Sequence, residues 1–336
     1  MRDFIENMPK AELHVHIEGT LEPELSFALA EKNNIPLPFP SPEALIAAYD
    51  FHDLPSFLKI YYAGMSVLIE EEDFYRLTWD YLEKAASQNI VYTELFFDPQ
   101  GHTTRGVAFE TVITGIHKAQ MAAKEKLGID SQLILCFLRD MSAESAMTHL
   151  RMAEPYLDWL VGVGLDSDEL NNPPVKFKEV FSLARQWGLK LTMHCDVNQK
   201  NTQEHITQVL DDIQVDRIDH GVNALESDAL CEKIKAKQLG LTVCPVSNRF
   251  VVQSLTSNEI KAMLEKGLLA TINSDDPAYF RAYLNENFIA LQEEGHFSKD
   301  QLLTLAGNAF KVAWLESDEK EHYLSKLNAY AQTAVA

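Results

Sequence analysis

The chain has 336 residues, with 29 Lys and Arg against 50 Asp and Glu, and its formal net charge is −21. So acidic a surface repels phosphate backbones and anionic lipid, which excludes nucleic acids and membrane surfaces as expected partners. No stretch approaches the ~20 apolar residues of a membrane span, and the amino terminus lacks the apolar segment of a signal peptide, so we expect a cytoplasmic protein.

Apolar runs with the length and composition of β-strands recur eight times in the chain. Helix-length amphipathic stretches separate most of them, and this alternation predicts parallel strands joined by crossover helices. Eight such units predict an α/β fold of the TIM (β/α)8 barrel type, in a single catalytic domain over residues 1–336. The predicted strands are 12–17, 90–97, 132–138, 160–166, 190–195, 217–220, 241–246 and 269–274.

One interval between predicted strands, residues 18–88, is too long for a single crossover helix. It contains four stretches with helical periodicity, at 21–32, 42–49, 54–68 and 72–86. We interpret the interval as a helical insertion after the first strand that caps the mouth of the barrel. The proline-rich stretch 36–40 is a stiff loop inside this cap, and no Gly/Ser linker marks a second domain.

Histidine and aspartate side chains occur where several predicted strands end. His14 and His16 are separated by one residue, so on a strand both imidazoles point to the same side. A third histidine, His194, and the carboxylate of Asp275 end two later strands. Active sites of this fold lie at the carboxyl ends of the strands, and zinc accepts three histidines and one carboxylate in hydrolytic sites. Each histidine alone is more simply a core or surface residue, but their joint distribution favours metal-assisted hydrolysis.

Five short motifs occur in order: PKAELHVHIEG at 9–19, GLDS at 164–167, RIDHGV at 217–222, LTVCPVSN at 241–248 and NSDDPAYF at 273–280. Each is weak alone, but the ordered set resembles the adenosine and adenine deaminase branch of the amidohydrolase superfamily over about residues 9–308. The segments 165–169, with the prolines at 173 and 174, 242–245 and 276–280 are more similar to adenine deaminases than to adenosine deaminases. The resemblance therefore implies a free purine base as the small-molecule substrate.

The resemblance also implies a zinc site and a base that acts on water. One Zn²⁺ per chain would be bound by His14, His16, His194 and Asp275, and His220 would orient and deprotonate the bound water. The resulting hydroxide would add to C6 of the purine, because zinc brings the pKa of its water toward ~7. His220 and Asp275 would then carry the proton toward the leaving nitrogen.

Four further residues are implied to contact the purine ring. Asp276 would turn toward N7 at the end of its strand, and the backbone of Gly164, which has no Cβ, would approach the ring near N3. Ser167 and Glu169 are candidates for the N3/N9 edge, with exposed loop residues as the alternative.

The chain departs from the family pattern after the fifth strand. Family deaminases have His-Ala-Gly-Glu there, and the glutamate protonates N1; this chain has His194, Cys195, Asp196 and Val197 instead. Loss of a general acid typically costs about 10²–10⁴-fold in rate. Because Asp196 lies two residues after His194, it should share the inward face of the strand. Our hypothesis is that Asp196 is the acid toward N1; the alternative is that it only orients His194 or the next loop.

The same departure bears on the substrate. The altered segment resembles the deaminases of N6-substituted adenines, so we predict that isopentenyladenine or methyladenine is converted to hypoxanthine and an amine. Conversion of adenine to hypoxanthine and ammonia is the alternative. Adenosine deamination is disfavoured by the motifs around Ser167 and Ala278, and a non-catalytic purine-binding protein is disfavoured by His220, which a binder does not need. The sequence leaves open whether the chain forms a homo-oligomer.

Overall fold

Eight parallel strands form one sheet, and their order in the sheet is their order along the chain. The computed structural model describes residues 1–195 and 200–334. The barrel closes where β1 meets the segment after β8: the His16 N–H donates to the Asp275 carbonyl at 2.9 Å, and the Asp275 N–H donates to the His14 carbonyl at 3.1 Å. The predicted TIM barrel is confirmed. The strands are β1 (Lys10–His16), β2 (Ile90–Phe97), β3 (Asp130–Leu138), β4 (Leu160–Asp166), β5 (Lys190–Cys195), β6 (Arg217–His220), β7 (Gly240–Val243) and β8 (Leu269–Ile272).

Helices occupy most of the chain between and after the strands. None of those in the described ranges combines the length and apolar composition that a membrane span needs. The α-helices are α1 (Arg2–Asn7), α2 (Pro23–Asn33), α3 (Pro42–Ala47), α4 (Leu54–Gly64), α5 (Glu71–Ser87), α6 (Pro99–Thr103), α7 (Phe109–Leu127), α8 (Ala143–Met152), α9 (Lys178–Gln186), α10 (Thr202–Gln208), α11 (Asp228–Ala236), α12 (Pro245–Val251), α13 (Ser257–Lys266), α14 (Pro277–Phe280), α15 (Leu284–Glu293), α16 (Lys299–Val312) and α17 (Ser317–Ala334).

Two strands end two or three residues earlier than the sequence predicts, and both ends have a local cause. β7 ends at Val243 rather than at residue 246, because Pro245 begins α12. Proline has no N–H for a strand ladder, and its fixed φ suits the first turn of a helix. β8 ends at Ile272 rather than at residue 274, and Asp275 has a left-handed φ of 65°, which no strand residue adopts.

The helices between β1 and β2 have two different surroundings. α4 begins after Asp53, whose carboxylate accepts the Ser56 N–H at 2.8 Å in a capping box. Side chains of α4 line the cavity at the carboxyl ends of the strands. α5 packs beside the barrel against α7 and belongs to its outer helical layer. The grouping of residues 18–88 as one cap, and of the chain as one domain, stays a prediction.

An ion pair fills the barrel interior below the site. The Arg217 guanidinium contacts the Glu94 carboxylate, and both side chains are fully buried. Arg217 also stacks on the Trp314 ring, at 4.1 Å from its centroid. Because neither side chain reaches water, the charge of each has to be neutralised by the other inside the barrel.

Candidate active site

A cavity of about 540 Å³, including its opening to solvent, lies at the carboxyl ends of the strands. Its polar lining includes His16, His194, His220, Asp275 and Asp276. The predicted site residues of β1, β5, β6 and β8 thus lie together, because a closed barrel directs these strand ends to one place.

The four predicted metal ligands converge on one point. Ligand atoms of His14, His16, His194 and Asp275 all lie within 4.8 Å of one another, and the four side chains are buried. His14 Nε2 is 3.1 Å from Asp275 Oδ1, and His16 Nε2 is 3.1 Å from His194 Nε2 and 3.3 Å from Asp275 Oδ1. Atoms about 2.0–2.2 Å from a tetrahedral zinc ion lie roughly 3.3–3.5 Å apart, so these spacings fit a metal.

The hydrogen bonds around His14 show that its Nε2 carries a lone pair. Thr242 Oγ1 donates its one hydrogen to Asp219 Oδ1 at 3.1 Å, and so it accepts the Nδ1–H of His14 at 2.8 Å. Although burial raises the pKa of Asp219, His194 lowers it below its usual value, which leaves Asp219 an acceptor. His14 Nε2 and the carboxylate oxygen of Asp275 are then two acceptors in contact. A second proton on His14 would resolve this contact, but burial lowers the pKa of His14, and so a metal ion between the two atoms fits it better.

The other two histidines are oriented in the same way. His194 Nδ1 lies 3.2 Å from Asp219 Oδ2, and His16 Nδ1 lies 3.4 Å from Asp166 Oδ2. With each Nδ1 facing a carboxylate, the two Nε2 atoms point at each other. The sequence analysis did not identify Asp219, Thr242 or Asp166, although all three occur in or beside its motifs. Their inward orientation depends on the register of three different strands.

His220 ends β6 beside Asp275 with a left-handed φ of 62°. Its Nε2 lies 4.0 Å from Asp275 Oδ2, which also accepts the Ser247 hydroxyl at 2.7 Å. Burial lowers the pKa of His220 well below its usual value, so the imidazole is neutral at neutral pH. Non-glycine residues in this backbone region are uncommon and cluster at functional sites.

Asp276 also faces the cavity, although it directly follows Asp275. The left-handed backbone of Asp275 breaks the alternation of a strand, so both carboxyl groups line the cavity. Burial and then the neighbouring Asp275 carboxylate raise the pKa of Asp276 well above its usual value. Asp276 Oδ1 has no hydrogen-bond partner among the described residues. The predicted contact of Asp276 with N7 stays a prediction.

The three residues that are predicted to contact the purine near N3 and N9 have different surroundings. Ser167 and Glu169 line the cavity, and Glu169 is buried rather than an exposed loop residue. Ser167 has a φ of 73°, and its Oγ accepts the Tyr62 hydroxyl of α4 at 2.6 Å. Gly164 is not among the described residues that line the cavity. A Cβ at this position would lie 2.6 Å from Cys136 Sγ, so packing against β3 requires the glycine.

The proposed acid Asp196 and the neighbouring Val197 lie outside the described residues. The end of β5 just before them is held by Arg139, whose guanidinium donates to the His194 carbonyl at 2.7 Å.

Two further buried acids line the cavity, and the sequence analysis did not select them as site residues. Asp98 directly follows β2 and Asp166 ends β4, with 2% and 3% of their surfaces exposed. Asp98 Oδ1 and both carboxylate oxygens of Asp166 have no hydrogen-bond partner among the described residues. Burial, then Asp166 and Glu18, raise the pKa of Asp98 well above its usual value. Acids commonly end strands, so sequence alone does not distinguish these two from ordinary loop residues.

The family model described as adenosine deaminase matches residues 9–330. The chain belongs to the adenosine deaminase family. It is 48% identical over 330 residues to an adenine deaminase from Psychrobacter cryohalolentis, which covers 98% of this chain and 99% of the relative. A relative from Schizosaccharomyces pombe, named as an uncharacterized deaminase, is 50% identical over 98% of this chain and 97% of its own.

A solved structure extends the likeness to three dimensions. The crystal structure of adenine deaminase from Arthrobacter aurescens has a TM-score of 0.94 and 41% identity, and it covers 97% of this chain and 99% of its own. The predicted resemblance to this branch is confirmed, and the chain is a hydrolytic deaminase that acts on carbon–nitrogen bonds. The family and the histidine–aspartate group together indicate a metal ion.

Proposed function

We propose that this deaminase converts adenine and water to hypoxanthine and ammonia, with one Zn²⁺ bound per chain. The observation that carries the proposal is the buried group of His14, His16, His194 and Asp275 beside His220 and Asp276, in one cavity. The sequence motif after β5 favours N6-substituted adenines, with adenine as the alternative. The relatives that are named adenine deaminases favour adenine, so we place adenine first.

The four converging side chains would hold the metal, because three imidazoles and one carboxylate are a donor set that zinc accepts. His14 Nε2 and the Asp275 carboxylate oxygen face each other with no hydrogen between them, which supports a cation between these two atoms. The chemistry that zinc supplies is an activated water at neutral pH, whose pKa is lowered toward ~7.

The remaining steps belong to the side chains around the water and the purine. His220, held neutral by burial, would take a proton from the water as it adds to C6. Asp275 Oδ2, at 4.0 Å from His220 Nε2, would help pass that proton to the departing amino nitrogen. Asp276 would hold N7 and so fix the ring with C6 toward the histidines. Ser167 and Glu169 line the same cavity and would contact the opposite edge. Gly164, which is buried in β4, keeps its proposed approach to N3 only through its backbone.

N6-substituted adenines are the second candidate substrates. Two observations favour them: the family glutamate is replaced by Val197, and an apolar wall of the cavity is formed by Phe57, Leu58, Val251 and Phe280. Such a wall suits an alkyl group better than a charged or sugar substituent.

An ultraviolet assay tests both candidates. Protein of measured zinc content is mixed in parallel with adenine, N6-isopentenyladenine, N6-methyladenine and adenosine, and formation of hypoxanthine or inosine is followed. We expect the highest kcat/KM for adenine. Faster reaction of the substituted bases would reverse the order of the two candidates. Failure of all four compounds with zinc-loaded protein would refute the proposed function.

A further inference from the structure

Asp98 is buried in the cavity wall, and both its backbone and its carboxyl group form a hydrogen bond there. Its backbone N–H donates to Glu18 Oε1 at 3.0 Å, and the Tyr61 hydroxyl donates to Asp98 Oδ2 at 3.5 Å. The other oxygen, Oδ1, has no hydrogen-bond partner among the described residues. The side chain is therefore positioned by the protein, and one of its oxygens is left without a partner among the described residues.

An acceptor buried without a donor destabilises the folded chain unless a ligand supplies the donor. Asp98 lies in the wall of the cavity that would receive the substrate, and Asp166 at the end of β4 lies there too. Asp166 Oδ2 faces His16 Nδ1 at 3.4 Å, and its Oδ1 has no hydrogen-bond partner among the described residues. This edge of the cavity is therefore rich in acceptors. A ligand that replaces water at this edge has to offer an N–H or O–H group.

Adenine offers such a group on the side that faces β2. This step rests on the proposed function, with C6 at the histidine group and N7 toward Asp276 after β8. Going round the ring from N7, the next polar atoms are N9 and then N3. Going round the barrel from β8, the next strands are β1 and β2, then β3 and β4. N9 thus faces Asp98 at the end of β2, and N3 faces the end of β4, where Ser167 follows.

We propose that Asp98 accepts the N9–H of the free base and thereby selects bases over nucleosides. A nucleoside carries a sugar on N9 and has no hydrogen there, so it would leave Asp98 Oδ1 buried and unpaired. Sites built to bond a substrate N–H or O–H reject analogues without that group far more strongly than apolar pockets reject small changes in size.

The test separates hydrogen bonding from steric exclusion. Three compounds are compared: adenine, 9-methyladenine, and the adenine analogue in which a ring oxygen replaces N9–H without added bulk. For wild-type protein we expect kcat/KM to favour adenine over the oxygen analogue by about 100-fold or more. In Asp98→Ala this preference should fall at least tenfold, through loss of activity on adenine. Asp98→Asn keeps an acceptor oxygen and should retain part of the preference.

The matched control is Asp140→Asn, which alters an exposed acid just after the neighbouring strand β3 and should leave the preference unchanged. A second readout without turnover is calorimetric binding of hypoxanthine, which retains N9–H and should bind at least tenfold more weakly to Asp98→Ala. If Asp98→Ala does not fold, Asp98→Leu removes the acceptor while filling its space and has the same expected result.

The inference and the proposed function fail in different ways. If wild-type protein deaminates adenine but Asp98→Ala keeps the full preference and the full hypoxanthine affinity, the role of Asp98 is refuted and the proposed function stands. If wild-type protein deaminates none of the bases, the proposed function fails, and the calorimetric comparison of hypoxanthine with its oxygen analogue still decides the role of Asp98.

Discussion

Replacement of Thr242 by valine tests how the chain orients its metal ligands. The Thr242 hydroxyl joins His14 Nδ1, at 2.8 Å, to Asp219 Oδ1, at 3.1 Å, and all three side chains are fully buried. Valine has nearly the same shape, so the packing of β7 is kept. The change removes the acceptor of the His14 Nδ1–H and leaves that group buried without a partner.

The expected size follows from these two contacts. A buried polar group that loses its partner costs about 1–3 kcal/mol. His14 can avoid this cost by moving its hydrogen to Nε2, but that tautomer cannot bind a metal. The cost therefore appears as weaker metal binding, and 1.4–2.8 kcal/mol corresponds to roughly 10–100-fold, the range found for such supporting contacts.

The assay is competition for zinc between the protein and a chelator of known affinity. Thr78→Val is a matched control, because Thr78 on α5 is also fully buried but its hydroxyl has no partner among the described residues. We expect Thr242→Val to bind zinc 10–100-fold more weakly than wild type, and Thr78→Val to bind it equally well. Equal zinc affinity in all three proteins would show that His14 is not a ligand oriented by Thr242.

Three more results are expected. Asp196→Asn should reduce turnover at least a hundredfold if Asp196 is the acid toward N1, in line with the effect of losing a general acid; near-normal turnover in the ultraviolet assay would rule out that role. Arg217→Met should lower the free energy of unfolding by about 3–5 kcal/mol, because it removes the cationic partner of the fully buried Glu94 carboxyl group; urea denaturation measures the loss, and an unchanged midpoint would contradict it. Burial and then Arg139 lower the pKa of His205 to about 4, below its unfolded value near 6.5. Between these two pH values the unfolded chain binds more protons than the folded chain. The free energy of unfolding therefore falls as the pH drops from about 6.5 to 4. His205→Gln should reduce this slope in thermal denaturation at pH 7 and pH 4.5, and an identical slope in both proteins would exclude the histidine as its source.

Local periodicity accounts for the parts of the site that could be predicted. The two-residue repeat of a strand places His14 and His16 on one side, and the structure has both inside the barrel. Strand ends were harder to predict, as β7 and β8 show, because a proline follows β7 after two residues and a left-handed aspartate follows β8 after three. These strand ends depend on the backbone conformation of single residues, which strand propensity alone describes poorly.

The supporting residues required the closed barrel. Asp219, Thr242 and Asp166 come from β6, β7 and β4, and each contacts a histidine that is distant in sequence. Whether such a residue faces the site depends on strand register and on closure between β1 and the segment after β8. The unpaired oxygen of Asp98 became visible only with its neighbours in place.

The sequence by itself determined the eight strand–helix units, the family and the identity of the metal-binding candidates, because these depend on residue type and on spacing along the chain. The tertiary structure alone decided which ring nitrogen of each histidine faces the common point, which acids are left without partners, and that Gly164 serves packing against Cys136. Those properties are relations between side chains from different strands, and they have no counterpart in the order of residues along the chain.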